Sequence, residues 1–496
     1  MKVNRKRGLF YRPRRSNLYR VFALVLLIFT SGWFVLRLDR GAIRSPFDPT
    51  FTPTRTGGSL ALEGDAFFDA GDLNKAITAY QEATKVDPGN AGNQAKLARI
   101  QAYSSRLLTT DAQRLQRLTE ARTSIEKAVS LAAEDSNVRA IHAFVLDWNA
   151  DPALDVLRPA GDQKAEALLV AADQEAVRAL SLDSRNPLAL AFYAEILTDE
   201  QKWTQAGQYI DQALQLGPNI MDVHRVYGYV LESNGAYNQA IVEYQKALEI
   251  SPNLTFLYIY IGKNYRQLAF KSDIPSEQKQ LYDQALQNFA RAVEINQVHS
   301  NQDPLPYLEI AKTYSQTGDF FSAERNALKA IAFDPTNADL YGRLGVIYDK
   351  ARNYESVIPA MQCAVKGCDP DTSCQARFVR ACRGDEGVTV TGLPLSPNTV
   401  VYYYTYGERL AALAPTHPKY CDEAIPVLNL VQTSYGNDPI VAAIVSDGLA
   451  ICASVAQSQV QTPTSVFTLT PLPTPEYTPF LKTPPTSVPY SPSFVP

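Results

Sequence analysis

The chain has 496 residues, 46% of them hydrophobic, with 47 Lys+Arg against 51 Asp+Glu. That apolar content can bury a sizeable core and excludes a wholly disordered chain; at about 150 residues per domain the length allows roughly three domains, unless it is a repeat array. The charge is unevenly placed. Lys2, Arg5, Lys6, Arg7, Arg12, Arg14, Arg15 and Arg20 fall in the first twenty residues with no acid among them; subtracting those eight from 47 leaves 39 basic against 51 acidic residues, a net −12 for the rest. So acidic a body is a poor general nucleic-acid binder, because such binding neutralises phosphates with Lys and Arg. Only four histidines occur (His142, His224, His299, His417), too scattered for a histidine-based metal or catalytic cluster.

Residues 1–20 form the basic segment, and the apolar run Val21–Leu36, extended to Leu38, follows them. At 1.5 Å per residue the uncharged run falls a little short of a ~30 Å hydrocarbon core, but Leu18, Tyr19 and Leu38 lengthen it and Arg20 and Arg37 can snorkel. No small-residue cleavage site follows, so a retained transmembrane helix over 21–38 is expected rather than a cleaved signal peptide. Eight basic residues before the span outweigh Arg37, Arg40 and Arg44 after it. The positive-inside rule then predicts a single-pass cell-membrane protein, N-terminus cytoplasmic and bulk extracytoplasmic. Residues 39–58, rich in Pro, Thr and Gly towards their end, read as a linker.

From 59 onward a period of 34 residues governs the chain. Pro218 and Pro252, Ala206 and Ala240, Ala213 and Ala247, Gly228 and Gly262, and Tyr314 and Tyr348 are all 34 apart. The best unit, Met221–Asn253, carries Tyr227, Gly228, Leu231, Gly235, Tyr237, Ala240, Tyr244, Ala247 and Pro252. An earlier one has Gly64, Phe67, Gly71, Ala76, Tyr80, Ala83 and Pro88; a later one has Ala311, Tyr314, Gly318, Ala323, Ala330 and Pro335. This spacing resembles the tetratricopeptide repeat, in a membrane-anchored, bacterial-looking setting. The resemblance implies an all-α solenoid of about nine helix pairs in a right-handed superhelix over 59–456. Small residues let paired helices approach, large ones fill between pairs, and proline ends each unit. Insertions are expected about Ala150–Asp162 and Phe270–Gln280.

All six cysteines, Cys363, Cys368, Cys374, Cys382, Cys421 and Cys452, lie late in the chain. An even number in an exported segment predicts three disulfides, with Cys421–Cys452 stapling the terminal helices and the connectivity of the other four open. Those four wrap a departure from the repeat at 363–395. The rival, a zinc site on the same four, lacks a C-x-x-C knuckle and is set aside. After the insertion, Ser396-Pro397 reads as a helix N-cap and first turn, with Tyr402, Tyr403, Tyr404 and Tyr406 divided between core and surface. Residues 457–496 read as a disordered Pro/Thr/Ser-rich tail; from Gln461 on there are ten prolines and eight threonines, and the only charges are Glu476 and Lys482.

Anchor, repeats and tail occupy nearly the whole chain, with no nucleophile elbow, phosphate-binding loop or H-E-x-x-H. A non-enzymatic scaffold for proteins or peptides is therefore expected, with no cofactor, metal, small-molecule substrate or nucleic-acid partner. The alternatives are a structural protein binding envelope polymer and a docking subunit of an envelope enzyme complex. The family's groove is lined by first helices. The resemblance puts Arg225, Tyr229 and Glu232 there, then Phe256, Ile259, Lys263 and Arg266, then Leu305, Leu308 and Lys312. Arg225 and Tyr229, then Tyr260, then Leu305 and Glu309 stand where a carboxylate clamp would need Lys and Asn, so a C-terminal-carboxylate partner is not expected.

Overall fold

A computed structural model describes residues 17–39, 55–378, 383 and 386–460. The basic segment up to Ser16, most of the linker, Cys382 and the Pro/Thr-rich tail from Gln461 lie outside these. The first element, α1 (Leu18–Asp39), is a 22-residue helix whose side chains from Leu18 to Arg37 are all exposed.

The remaining helices pair in sequence and fall into two compact units. In the first unit the pairs are α2 (Gly57–Asp69) with α3 (Leu73–Val86), α4 (Ala91–Ser105) with α5 (Asp111–Leu131), and α6 (Ser136–Asn149) with α7 (Ala165–Leu182). Three more follow: α8 (Pro187–Asp199) with α9 (Trp203–Leu216), α10 (Met221–Ser233) with α11 (Tyr237–Ile250), and α12 (Thr255–Lys271) with α13 (Pro275–Val298). The second unit holds α14 (Leu305–Thr317) with α15 (Phe320–Phe333), and α16 (Ala338–Lys350) with α17 (Tyr354–Val365). After the cysteine insertion come α19 (Val400–Leu413) with α20 (Tyr420–Tyr435), and then α21 (Pro439–Val460). The all-α repeat expected from the 34-residue period is present.

Short polar residues start the helices. Asp72, Asp319 and Asn353 open second helices by accepting the backbone N–H of Lys75, Ser322 and Ser356. Asn90, Asp135, Asn186 and Asn337 open first helices in the same way. Within four of the pairs a glycine lets a large residue of the second helix lie close. A Cβ on Gly228 would come within 2.6 Å of the Tyr244 ring, and Gly64 against Tyr80, Gly262 against Phe289 and Gly345 against Met361 repeat the arrangement. Insertions lengthen elements without breaking pairs. Residues 270–280 extend α12 to 17 and α13 to 24 residues, and Pro152–Val156 forms a short 3-10 turn after α6.

The first unit winds back on itself. Asn253, in the turn between α11 and α12, donates from Nδ2 to the Asp69 carbonyl at 3.0 Å, and Asn301 donates to the Gly71 carbonyl at 3.4 Å. Gly71 adopts φ +79°, and a Cβ there would collide with the Asn253 carbonyl oxygen. Glycine is needed at this turn both for the left-handed backbone and for the close approach.

In the second unit the insertion is a small clasp. β1 (Gly367–Cys368) pairs antiparallel with β2 (Val390–Thr391) in the register Gly367↔Thr391 and Cys368↔Val390, and α18 (Pro370–Arg377) lies between them. Cys363 bonds to Cys368 and Cys421 to Cys452, and Cys374 is also disulfide-bonded. The expected staple of the terminal helices is thus in place. Two local expectations change. The helix after the insertion begins at Val400, because the Ser396 N–H donates to Oγ1 of Thr399 and holds 396–399 as a turn before it. Of its tyrosines, Tyr402, Tyr403 and Tyr406 are all buried, since α19 packs against α16 and α17 as well as α20 and α21.

α21 is as apolar as α1 over a 20-residue stretch, but Val441, Val445, Cys452 and Val455 form a buried stripe against α19 and α20. It closes the repeat core. The Cys421–Cys452 bridge spans 31 residues. Loop-closure entropy assigns such a bridge about 3–4 kcal/mol. A Cys421→Ala, Cys452→Ala variant should therefore lose about that much, read as earlier loss of hydrogen-exchange protection in α20 and α21 while the first unit keeps its own.

Candidate partner-binding site

The ten residues expected to line a groove fall on three first helices: seven on α10 and α12 in the first unit, three on α14 in the second. Half of them are not open. Arg225 is 2% exposed, Phe256 2% and Ile259 1%; Arg266 and Leu308 are also buried. Arg225 and Phe256 are enclosed by tight winding: first helices that would flank an open channel instead meet each other on the inner side of the first unit. Arg266 packs over the Phe289 ring of α13, 5.5 Å away, and Leu308 belongs to the core of the second unit.

Tyr103, fully buried on α4, is the centre of this contact. Its ring lies 6.5 Å from Phe68 on α2, 5.3 Å from Phe144 and 5.4 Å from Trp148 on α6, and 5.2 Å from Phe256 on α12. Its hydroxyl donates to Asp222 on α10, which Arg99 also reaches at 3.3 Å. Four other first helices therefore converge on this one side chain of α4. Arg225 packs over Tyr103, Phe144 and Trp148, each 5.5 Å away, and makes a two-pronged pair with Glu195 on α8 at 2.8 and 2.6 Å. Trp148 Nε1 donates to the same carboxylate at 3.0 Å. Arg225 is thus an internal strut, and the sequence reading of it as a partner contact is corrected.

What stays accessible is the polar border of this interior. Arg106 is exposed and stacks on Trp148 at 4.7 Å; Tyr229 and Tyr260 are half-buried beside it. Tyr229 donates to Asp199, and Glu232 accepts from Tyr244 at 2.8 Å and from Asn264 at 2.9 Å. Lys263 and Leu305 are half-buried and Lys312 is exposed. The expected groove residues that remain surface-accessible are therefore Tyr229, Glu232, Lys263, Leu305 and Lys312.

Sequence reasoning missed the acidic cluster beneath this border. Asp147 on α6 is 5% exposed, and neither of its carboxyl oxygens meets an N–H or O–H donor. It faces Asp199, with Glu195 nearby. Burial, then these two acids, pushes the Asp147 carboxyl well above the ordinary carboxylate range. Burial likewise pushes Asp199 up to about 6, against the Tyr229 hydrogen bond, which acts to lower it. Only the acidic residues' sequence separations were visible beforehand, and separations of 52 and 4 do not announce a contact. Among the described residues no group of His, Cys, Asp and Glu is arranged to hold a metal ion.

The cluster has a definite pH sign. Both folded values lie above the ordinary 3.8, so the native state holds protons the unfolded chain releases. This contribution is present at low pH and is lost as pH rises through 6 and beyond. Asp147→Asn should thus stabilise the first unit by about 1–3 kcal/mol at pH 8 and by less at pH 5. Denaturant titrations at the two pH values, read by exchange protection of α6 and α8, check this.

Tetratricopeptide repeat models match residues 194–254 and 326–358, and a TPR repeat model matches 64–102. The chain is a tetratricopeptide-repeat protein. The matched stretches of this repeat protein include α2 to α4, α8 to α11, and the α15–α17 segment. No curated protein sequence matches it. Among solved structures, the human IFIT1 dimer with PPP-AAAA is similar at 16% identity, over 82% of this chain and 92% of that one, with a TM-score of 0.49. A thermophilic TPR protein of Thermus thermophilus is similar at 17% identity, over 42% of this chain and 98% of that one, with a TM-score of 0.33. A stacked array of these repeats is a scaffold for protein or peptide partners, whose identity the architecture leaves open.

Proposed function

We propose that this repeat protein is a membrane-tethered scaffold, held by α1 with its N-terminus in the cytoplasm and its repeats outside, that binds protein or peptide partners. The observation that carries the reading is α1 itself: 22 helical residues, about 33 Å at 1.5 Å each, with an uncharged apolar stretch exposed on all sides. So long an apolar surface is unfavourable in water and favourable in hydrocarbon. The eight basic residues before it and the disulfide-bonded cysteines of the second unit support the orientation, because disulfides persist in oxidising compartments. The protein's own side chains fill the inner first-helix surface of the first unit. Partners are therefore expected on its accessible border, around Arg106, Tyr229 and Lys263, and on the second unit.

The reading is tested by adding protease to intact cells or spheroplasts, any outer barrier having been removed, with a tag at the N-terminus. The repeats should be digested and the tag spared. Repeats that survive while the tag is lost would reverse the topology. A chain recovered in the soluble fraction would remove the anchor.

A further inference from the structure

Beyond that function, the second unit carries a cleft of about 580 Å³, bordered by α16 to α20, within the range of roughly 300–1,000 Å³ usual for ligand sites. We propose that it is a docking site for the chain's own tail, specifically Lys482-Thr483-Pro484-Pro485. The walls are aromatic and proline surfaces, with Phe378, Tyr420 and Pro359 partly accessible. Side-chain amides of Gln362 and Gln375 stand among them as hydrogen-bond donors. Flat aromatic walls with interspersed donors are the surface that recognises proline-rich segments. Such a segment loses little entropy on binding and presents bare carbonyls to donors.

The cleft's charge selects which proline-rich segment. Its ionisable lining carries two acids, Glu355 and Glu423. Glu423 is held by Lys366 at 2.7 Å and by the Tyr406 hydroxyl, whereas Glu355 is exposed and has no cation partner among the described residues. Glu355 therefore offers the cleft an unneutralised carboxylate, a seat for an ammonium group. The tail from Gln461 to Pro496 contains one cation, Lys482, and it directly precedes Thr483-Pro484-Pro485.

Chain connectivity favours the protein's own segment over a foreign one. Cys452 of α21 is bonded to Cys421, the neighbour of the cleft residue Tyr420. From Cys452 to the end of α21 at Val460 is about 12 Å of helix, and the 22 further residues to Lys482 span up to about 70 Å if extended. The segment reaches the cleft with slack, so the tether supplies it at an effective concentration in the millimolar range.

The test uses the full chain in detergent and a fluorescent peptide of residues 478–487. A variant with Lys482→Ala, Pro484→Ala and Pro485→Ala frees the cleft and should bind the peptide at least tenfold tighter than the wild type, whose tail competes. Adding Glu355→Lys to the freed variant should abolish peptide binding, while a charge-reversed peptide carrying glutamate for Lys482 should recover it. Equal peptide affinity for wild type and freed variant means the tail does not occupy the cleft, and absence of binding to the freed variant means the cleft does not recognise this segment. Either result overturns the proposal. If wild-type blocking weakens on dilution, the occupant is the tail of a second copy, which overturns docking within one chain. None of these outcomes depends on where the membrane lies.

Discussion

Arg225→Met should be the most damaging single charge removal in the first unit, at about 3–5 kcal/mol. The guanidinium is 2% exposed, and removing it strands Glu195, itself 4% exposed, with only the Trp148 N–H at 3.0 Å as a remaining donor. An uncompensated buried carboxylate costs more than the lost attraction, so the pair matters more when one partner is removed than through its net contribution. The double variant Arg225→Met, Glu195→Leu should recover most or all of the loss, since apolar replacement of both partners removes the charge together with its need for a partner. Because the chain has two compact units, one midpoint does not report either of them alone. Exchange protection of α6, α8 and α10 in increasing denaturant gives the local value. A single variant as stable as wild type would show that this pair holds nothing together.

Tyr103→Ala should cost about as much, by a different route. The ring touches Phe68, Phe144, Trp148 and Phe256, and its loss leaves a cavity that five helices cannot all move to fill. Deleting a large buried aromatic side chain typically costs about 3–5 kcal/mol. Tyr103→Phe separates the ring from its hydroxyl: it keeps the packing and removes one donor from Asp222, which retains Arg99 at 3.3 Å. That change should cost about 1–3 kcal/mol. If alanine and phenylalanine variants lose protection equally in α2, α6 and α12, the hydroxyl and not the ring is what matters. The same alanine variant should also release the inner face, so any gain of partner capture accompanying the loss of stability would show that tight winding conceals a binding surface.

The repeat was legible because its physics is local. Gly228 against Tyr244 and Gly64 against Tyr80 are separated by 16 residues, from within one helix across the turn into the next, and the pairing follows from helical geometry within each unit. Caps such as Asp72 and Asn353 act over three residues, and the Cys421–Cys452 bridge joins helices that are consecutive in the chain. These features are written in spacing alone. The winding is not. How far each pair rotates against the next accumulates over six pairs, and it brings Tyr103 to Asp222, 119 residues away, and Asn253 to Asp69, 184 residues away. A motif register put Arg225 and Phe256 on the side turned away from the second helix, but whether that side faces a partner or another helix is decided by the summed rotation. The Asp147–Asp199 cluster has the same origin, since its acids approach only where α6 and α8 cross. The sequence by itself determined the helix pairs, their order, the apolar first helix and the terminal staple; only the tertiary structure decided that the inner surface of the first unit is core, because burial there depends on contacts between helices that no single repeat contains.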